Sequence, residues 1–122
     1  QIKNTDVLES MLLYPAHPKL IELLKWVSCR YSKVVFTGMY EKRDYPSPHS
    51  TTPYVRAMDI RSWIYEDPKA IESDINDHWL YDPDRPWFKC AKYHNTGRGW
   101  HFHLQVHNRT RRRQSQERKE SS

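Results

Sequence analysis

Histidines occupy three of the four alternate positions 101, 103, 105 and 107 in the stretch GWHFHLQVH, residues 99–107. In a β-strand, neighbouring side chains point to opposite faces of the sheet. One face of this predicted strand is polar and carries His101, His103, Gln105 and His107. The other face is apolar and carries Trp100, Phe102, Leu104 and Val106. The apolar face suits a core, whereas imidazoles on the polar face can bind a metal or move protons near neutral pH.

Two further donor residues occur in the stretch SPHSTTPYVRAMDIRSW, residues 47–63. His49 lies in a polar loop, and Asp59 lies within a predicted strand. A histidine pair alone is as typical of a solvated strand face as of a metal site. A loop histidine and a strand carboxylate can, however, converge with one imidazole of a neighbouring strand. Three protein ligands with a fourth position left for water are the pattern of a catalytic zinc site.

Three short motifs, in this order, resemble a known family of zinc peptidases. They are Ser47-Pro48-His49, Arg56-Ala57-Met58-Asp59 and His101-Phe102-His103. The order is similar to that of the zinc D-alanyl-D-alanine carboxypeptidases, murein endopeptidases and phage endolysins, whose fold the hedgehog signalling domain shares. The matched span runs from about residue 34 to residue 106, more than half of the chain.

The resemblance implies a role for each motif residue. His49, Asp59 and His103 would bind Zn²⁺, which lowers the pKa of a bound water to about 7 and polarises the scissile carbonyl. His101 would assist proton transfer beside the metal. We therefore expect a zinc metallopeptidase that hydrolyses peptide bonds in bacterial cell-wall peptidoglycan.

Three residues are candidates for contacting the substrate. Ser47 and Arg43 match positions at which relatives contact substrate, often a peptide carboxylate, and a guanidinium suits that group. Tyr40 lies close enough in sequence to the motif loop to line the same cleft. The expected partner is a peptidoglycan stem peptide or another peptide.

The chain also departs from the family pattern at three places. Nine residues separate His49 from Asp59, where relatives usually have six, and Val55 replaces a glycine before Arg-Ala. Trp100 stands where the carboxypeptidases place a glutamate base, so a glutamate mechanism is not expected. A non-catalytic zinc-binding module of the same fold is therefore the main alternative.

An HxH metal-dependent nuclease is a further alternative. The rolling-circle type needs a downstream tyrosine as the nucleophile. No tyrosine follows His107, and no second HxT or HxS motif has the required strand context. The nuclease therefore ranks below the peptidase, and no nucleic-acid partner is expected.

Sequence periodicity also predicts the elements that would position these residues. Helical spacing of apolar residues predicts helices in residues 6–13, 17–31 and 66–79, and Asp67 followed by Pro68 marks the start of the last one. Runs of β-branched and aromatic residues predict strands in residues 33–40, 55–63, 86–94 and 99–107. This order favours a single α+β domain, with a mostly antiparallel sheet packed against helices. Trp63, Trp79, Trp87 and Trp100 are predicted to be core residues.

Charge and composition divide the 122-residue chain unevenly. Residues 108–122 contain five Arg and one Lys against two Glu, which is a net charge of +4 out of +5 for the whole chain. This segment has no apolar residue, so we expect a zinc metallopeptidase-like domain in residues 1–107 and a disordered basic tail in residues 108–122. The tail is either solvated or weakly attracted to anionic polymers.

Cysteine content and hydropathy bear on the cellular location of the protein. Cys29 and Cys90 form no CxxC motif and are predicted to be buried or idle thiols, with a disulfide between them left open. No apolar run is long enough to span a membrane, and no stretch resembles the apolar part of a signal peptide. We expect a monomer without a membrane partner, made in the cytoplasm and acting on the cell wall.

Overall fold

The computed structural model describes residues 16–31, 33–38, 55–95, 97 and 99–114. The two helices in this part of the chain are α1 (Pro18–Arg30) and α2 (Pro68–His78). The strands there are β1 (Phe36–Gly38), β2 (Ala57–Arg61), β3 (Trp79–Leu80), β4 (Ala91–Asn95), β5 (Trp100–Gln105) and β6 (Arg111–Arg112). The predicted helix at residues 6–13 lies outside the described residues.

A four-stranded antiparallel sheet forms the centre of the fold, in the order β1-β2-β5-β4. A second, two-stranded antiparallel sheet pairs β3 with β6. Two helices with a mostly antiparallel sheet confirm the predicted α+β class. The candidate strands β2 and β5 are neighbours at the middle of the larger sheet.

Local sequence signals fix the starts of both helices. His17 caps α1, because its side chain accepts a hydrogen bond from the Lys19 amide at 3.0 Å. Asp67 caps α2 by accepting from the Ala70 amide at 3.2 Å, as predicted. A proline follows each cap, where its missing N–H costs no hydrogen bond.

The core lies on one face of the larger sheet. Apolar side chains of β2 and β5 are fully or almost fully buried there, namely Met58, Ile60, Phe102 and Leu104. Helix α1 contributes the buried side chains Leu20, Leu23 and Val27. The predicted faces of the histidine strand are confirmed by this burial. Trp100 is an exception, since it is 55 % exposed and packs on Tyr93 with ring centroids 4.8 Å apart.

Two more of the tryptophans predicted to be core residues are exposed. Trp63 is 73 % exposed and Trp87 is 68 % exposed, whereas Trp79 is buried as predicted. Trp63 follows the end of β2, where the Arg61 guanidinium lies 4.9 Å from its ring. Trp87 lies in a turn before β4. Both residues lie in turns, where hydrophobicity did not indicate burial.

The strand predicted at residues 86–94 is shorter than expected, because β4 begins only at Ala91. The preceding residues form consecutive turns, with the Arg85 amide donating to the Asp82 carbonyl and the Phe88 amide donating to the Arg85 carbonyl, each at 3.0 Å. The buried Asp82 side chain also accepts from the Asp84 amide at 3.0 Å. Turn formation therefore replaces strand pairing over this stretch, which also contains Pro86 without a donor N–H.

Helix α2 covers the edge of β4 with polar side chains. The Asn76 amide donates to the Ala91 carbonyl at 2.9 Å and accepts from the Ala91 amide at 3.0 Å. Glu72 accepts from the Tyr93 amide at 2.6 Å. These contacts satisfy backbone groups that an edge strand would otherwise present for pairing with another chain.

Residues 108–114 belong to the folded part of the molecule, although the sequence placed them in a tail. Thr110 is completely buried, and β6 pairs with β3. Arg113 donates from its backbone to the His78 carbonyl at 2.8 Å and from Nε to the Asn76 carbonyl at 2.9 Å, which satisfies the C-terminal end of α2. The folded domain therefore extends at least to residue 114, beyond the boundary predicted at residue 107.

Both cysteines are free thiols, with Cys29 exposed and Cys90 buried. Burial raises the pKa of Cys90 to about 12, so this thiol stays protonated at neutral pH. Of the helices that the structure describes, none combines the length and apolar character needed to cross a bilayer.

Candidate metal centre

Asp59 of β2 and His103 of β5 are direct cross-strand neighbours in the central sheet. Their side chains lie on the polar face, opposite the core. The Asp59 Oδ1 to His103 Nδ1 distance is 3.0 Å. Both side chains are largely buried, with exposed fractions of 14 % and 11 %. Two of the three predicted zinc ligands are therefore in contact.

His101 lies beside this pair, as the HxH spacing predicts. Its Nε2 is 3.7 Å from Oδ2 of Asp59, which places the proposed proton carrier next to the carboxylate. On the other side of His101, its Nδ1 lies 3.1 Å from the Gly99 carbonyl oxygen. The ring is 16 % exposed, so solvent still reaches it.

His94 is a fourth member of the cluster and was not among the site residues predicted from the sequence. It lies in β4 directly opposite His101, and the two ring centroids are 4.8 Å apart. Its ring also lies 5.7 Å from that of His103. The signal was present in the strands predicted at residues 86–94 and 99–107, because an antiparallel pair with a short connection brings residue 94 close to residue 101.

The environment of His94 disfavours its charged form. Burial is the largest cause that lowers the pKa of His94 below its usual value, and the neighbouring His101 and His103 lower it further. Asp59 acts in the opposite direction. Nε2 of His94 is buried and has no hydrogen-bond partner among the described residues. His94 is thus a neutral ring packed against the two other imidazoles.

Gln105 determines which nitrogen of His103 carries hydrogen. The Gln105 amide nitrogen donates to the Lys89 carbonyl at 2.8 Å, which leaves its oxygen directed at His103 Nε2 at 3.1 Å. That oxygen can only accept, so His103 Nε2 must donate. Asp59 Oδ1 at the other ring nitrogen also only accepts, so Nδ1 either carries a second proton or, once that proton is lost, offers its lone pair to a metal ion. Fixing the tautomer through the second ring nitrogen is the usual arrangement for a metal-binding histidine.

The donor set fits a zinc ion. A lone pair on His103 Nδ1 and an ionised Asp59 oxygen are both acceptors, and two acceptors at 3.0 Å need a proton or a cation between them. Imidazole nitrogen and carboxylate oxygen are both donor types that zinc takes in proteins, so Asp59 and His103 would be the residues that hold the metal. The pair can therefore serve as two ligands of one metal ion.

A complete metal site needs more than these two ligands. Within residues 16–31, 33–38, 55–95, 97 and 99–114, no group of three or more His, Cys, Asp or Glu side chains is arranged to hold a metal ion. The predicted third ligand, His49, lies outside the described residues, as do the predicted substrate contacts Ser47, Arg43 and Tyr40.

Trp100 does not place a base at the site. The residue stands three positions before His103, and on a strand this puts it on the opposite face. Its ring packs on Tyr93 rather than beside Asp59. His101 is thus the described side chain best placed to carry a proton at this centre.

Comparisons with known protein families, with curated proteins and with solved structures each gave no match for this chain.

Proposed function

We propose that this protein is a zinc-dependent peptidase that hydrolyses peptide bonds in bacterial cell-wall peptidoglycan. The observation that carries the proposal is the contact between Asp59 and His103 on the polar face of the central strands, with His101 beside it. The order of the sequence motifs supports the same assignment. Peptidoglycan as the substrate rests on that resemblance alone.

His49 is the proposed third ligand, and chain connectivity allows this assignment. In the sequence, His49 lies between Gly38, which pairs with Asp59, and Val55. His49 precedes Val55 by six positions, and an extended chain spans at most about 3.3–3.6 Å per residue, so the link between them reaches about 20 Å at most. This bound is compatible with a ligand for the Asp59–His103 pair.

The roles of the residues follow from their chemistry. His49, Asp59 and His103 would hold Zn²⁺, which when bound supplies an activated water and polarises the peptide carbonyl. His101 would accept a proton at Nε2 as the peptide bond is attacked and return it to the leaving amine. Ser47, Arg43 and Tyr40 would orient the substrate, with Arg43 suited to a peptide carboxylate.

A non-catalytic zinc-binding domain is the second candidate. The position of Trp100 favours it, since the glutamate base of the carboxypeptidases is replaced there by a side chain on the other face of β5. Such a protein would retain the metal ligands and lack hydrolysis. The two candidates therefore differ in activity and agree in metal content.

The test measures zinc by elemental analysis in wild type, His49→Ala, Asp59→Asn and His103→Ala. His17→Asn serves as a control, because it lies at the start of α1 and keeps an acceptor for the helix cap. We expect about one zinc per chain in wild type and control, and loss of zinc in each of the three variants. Circular dichroism of each variant confirms that it is folded.

Hydrolysis is then measured as new amino groups released from purified peptidoglycan. We expect His101→Gln to retain zinc and to lose activity by about 10²- to 10⁴-fold, the usual contribution of a positioned acid–base group. Zinc without hydrolysis in wild type would favour the non-catalytic domain. Protein that binds no zinc at all would exclude both candidates.

A further inference from the structure

The turn that joins β4 to β5 has an unusual backbone at two glycines. Gly97 and Gly99 have φ values of +95° and +99°, a region that residues with a Cβ rarely adopt. The Asn95 side chain accepts hydrogen bonds from both glycine amides, at 2.8 Å from Gly97 and 3.2 Å from Gly99. A side chain at the end of β4 therefore binds the backbone of both glycines.

The Gly99 carbonyl is directed at His101. The carbonyl oxygen is 3.1 Å from Nδ1 of that histidine. A carbonyl can only accept, so Nδ1 must carry the hydrogen. Because a neutral imidazole carries a single N–H, Nε2 of His101 then has a lone pair. That nitrogen is the one that lies 3.7 Å from Asp59 Oδ2.

The face of the same ring is restricted by a second strand. His94 packs against His101 with an angle of 64° between the ring planes. His101 is thus contacted at Nδ1 by the Gly99 carbonyl and at its ring by His94 of β4. Both contacts restrict the orientation of the ring, and the hydrogen bond also selects its tautomer.

We propose that Gly99 is a positioning residue for His101: its left-handed backbone conformation aims its carbonyl at Nδ1 and thereby selects the tautomer whose Nε2 faces Asp59. The consequence of this positioning for catalysis rests on the proposed function, since only a peptidase needs a proton acceptor at His101. The tautomer itself can be measured whether or not the protein is a peptidase.

Gly97 provides a matched control. A methyl group added at either glycine would meet no atom of the described residues within 4 Å, so both substitutions strain the backbone without a steric clash. Gly99→Ala and Gly97→Ala should therefore destabilise the turn by similar amounts. Only Gly99→Ala should disturb the carbonyl that holds His101. Gly99→Asn is a conservative variant, because Asn adopts positive φ more readily than Ala.

The first readout is the tautomer, from long-range ¹H–¹⁵N correlation spectra of ¹⁵N-histidine-labelled protein at alkaline pH. His101→Gln identifies the signals of residue 101. We expect His101 to be the Nδ1–H form in wild type and Gly97→Ala. In Gly99→Ala it should shift toward the Nε2–H form that dominates in free histidine, and Gly99→Asn should restore at least part of the wild-type signal.

The second readout is the split between kcat and KM. Gly99→Ala should lower kcat by about tenfold or more, within the range of a misplaced acid–base group, with KM and zinc content unchanged. Gly97→Ala should leave all three close to wild type. An Nε2–H tautomer in wild type, or equal effects of the two alanine variants on tautomer and kcat, would overturn the inference. If no peptidase activity exists, the proposed function fails, and the tautomer spectra alone decide the role of Gly99.

Discussion

At the candidate centre, a single hydrogen bond to each of two histidines determines that one particular ring nitrogen carries a hydrogen. Gln105 fixes His103 by accepting from Nε2, and the Gly99 carbonyl fixes His101 by accepting from Nδ1. The two imidazoles therefore present different nitrogens to Asp59. One histidine is prepared as a ligand through Nδ1, and its neighbour is prepared as a proton acceptor through Nε2.

The role of Gln105 can be tested by zinc affinity. Gln105→Met removes the acceptor for His103 Nε2–H but retains most of the side-chain volume, so the tautomer is no longer fixed. We expect zinc affinity to fall by about 10- to 100-fold, the usual cost of losing such a partner. Competition with a chromophoric chelator measures the Kd. Gln105→Glu keeps an acceptor and should bind more tightly than Gln105→Met; equal affinities would contradict this role.

His107 makes stability depend on pH. Burial is the main cause that lowers the pKa of His107 below 6.5, and Arg85 lowers it further, while Asp82 acts in the opposite direction. As the pH falls below 6.5, the unfolded chain takes up a proton that the folded state resists. The free energy of unfolding must therefore decrease until the lower pKa of the folded state is reached.

Replacing His107 by Gln should reduce this dependence. We expect the free energy of unfolding to fall less between pH 7 and pH 5 than in wild type, as measured by urea denaturation at a series of pH values. His17→Gln, which replaces a histidine at the start of α1, is the control. If the free energy of unfolding of His107→Gln changes with pH as much as that of wild type, other groups cause the pH dependence.

Among the elements, helix α2 has two tasks, since it packs on the core and covers the edge of β4. Ile75 supplies the buried apolar contact, and Asn76 supplies two hydrogen bonds to one residue of the strand. Because β4 also carries His94, the helix stabilises the strand that packs against the candidate centre. The sequence periodicity of α2 indicated its apolar side but not this polar task.

Asn76→Ala tests the polar contact of α2 with β4. The substitution leaves both the N–H and the C=O of Ala91 without their partner, so we expect the free energy of unfolding to fall by about 1–3 kcal/mol. Ser73→Ala, at an exposed position of the same helix, should change it by less than about 0.5 kcal/mol. Chemical denaturation measures both variants. Equal values would mean that solvent replaces the Asn76 contacts without cost.

Over the whole molecule, the segment after β5 closes the fold. Thr110 is buried, and its hydroxyl accepts from the His107 amide and donates to the Tyr81 carbonyl, each at 2.7 Å. Arg112 then extends over the rings of Trp26 and Trp79, at 5.4 Å and 5.7 Å from their centroids. The sequence predicted a solvated basic tail here, whereas Arg112 covers the aromatic surface of α1 and β3.

Thr110→Val tests this closure while keeping the side-chain shape. The valine leaves two buried backbone groups without a partner, so we expect a loss of about 1–3 kcal/mol of unfolding free energy and a lower Tm. Thr110→Ser keeps the hydroxyl and loses only a methyl group, which should cost about 1 kcal/mol or less. A Thr110→Val variant as stable as Thr110→Ser would show that these hydrogen bonds contribute little.

Features that depend only on residues adjacent in the sequence could be predicted from the sequence. The cap of α2 at Asp67 and the alternation of β5 were read correctly, because helix caps and strand faces follow from the backbone geometry of a few consecutive residues. The turn before Ala91 was missed, since its aromatic residues have the composition of a strand. The exposed Trp63 was missed for the same reason, because hydrophobicity does not specify which way a turn side chain points.

The placement of the candidate centre was decided by the tertiary structure. The sequence named Asp59, His101 and His103, but their contact depends on the pairing of β2 with β5, which brings together Asp59 and His103 from 44 positions apart. The position of His94 opposite His101 depends on the register of β4. Periodicity determines which face a side chain occupies, whereas the choice of partner strand depends on how all the apolar faces of the chain pack together. The sequence by itself thus determined the chemistry available on each face, and only the folded structure decided which of these groups meet.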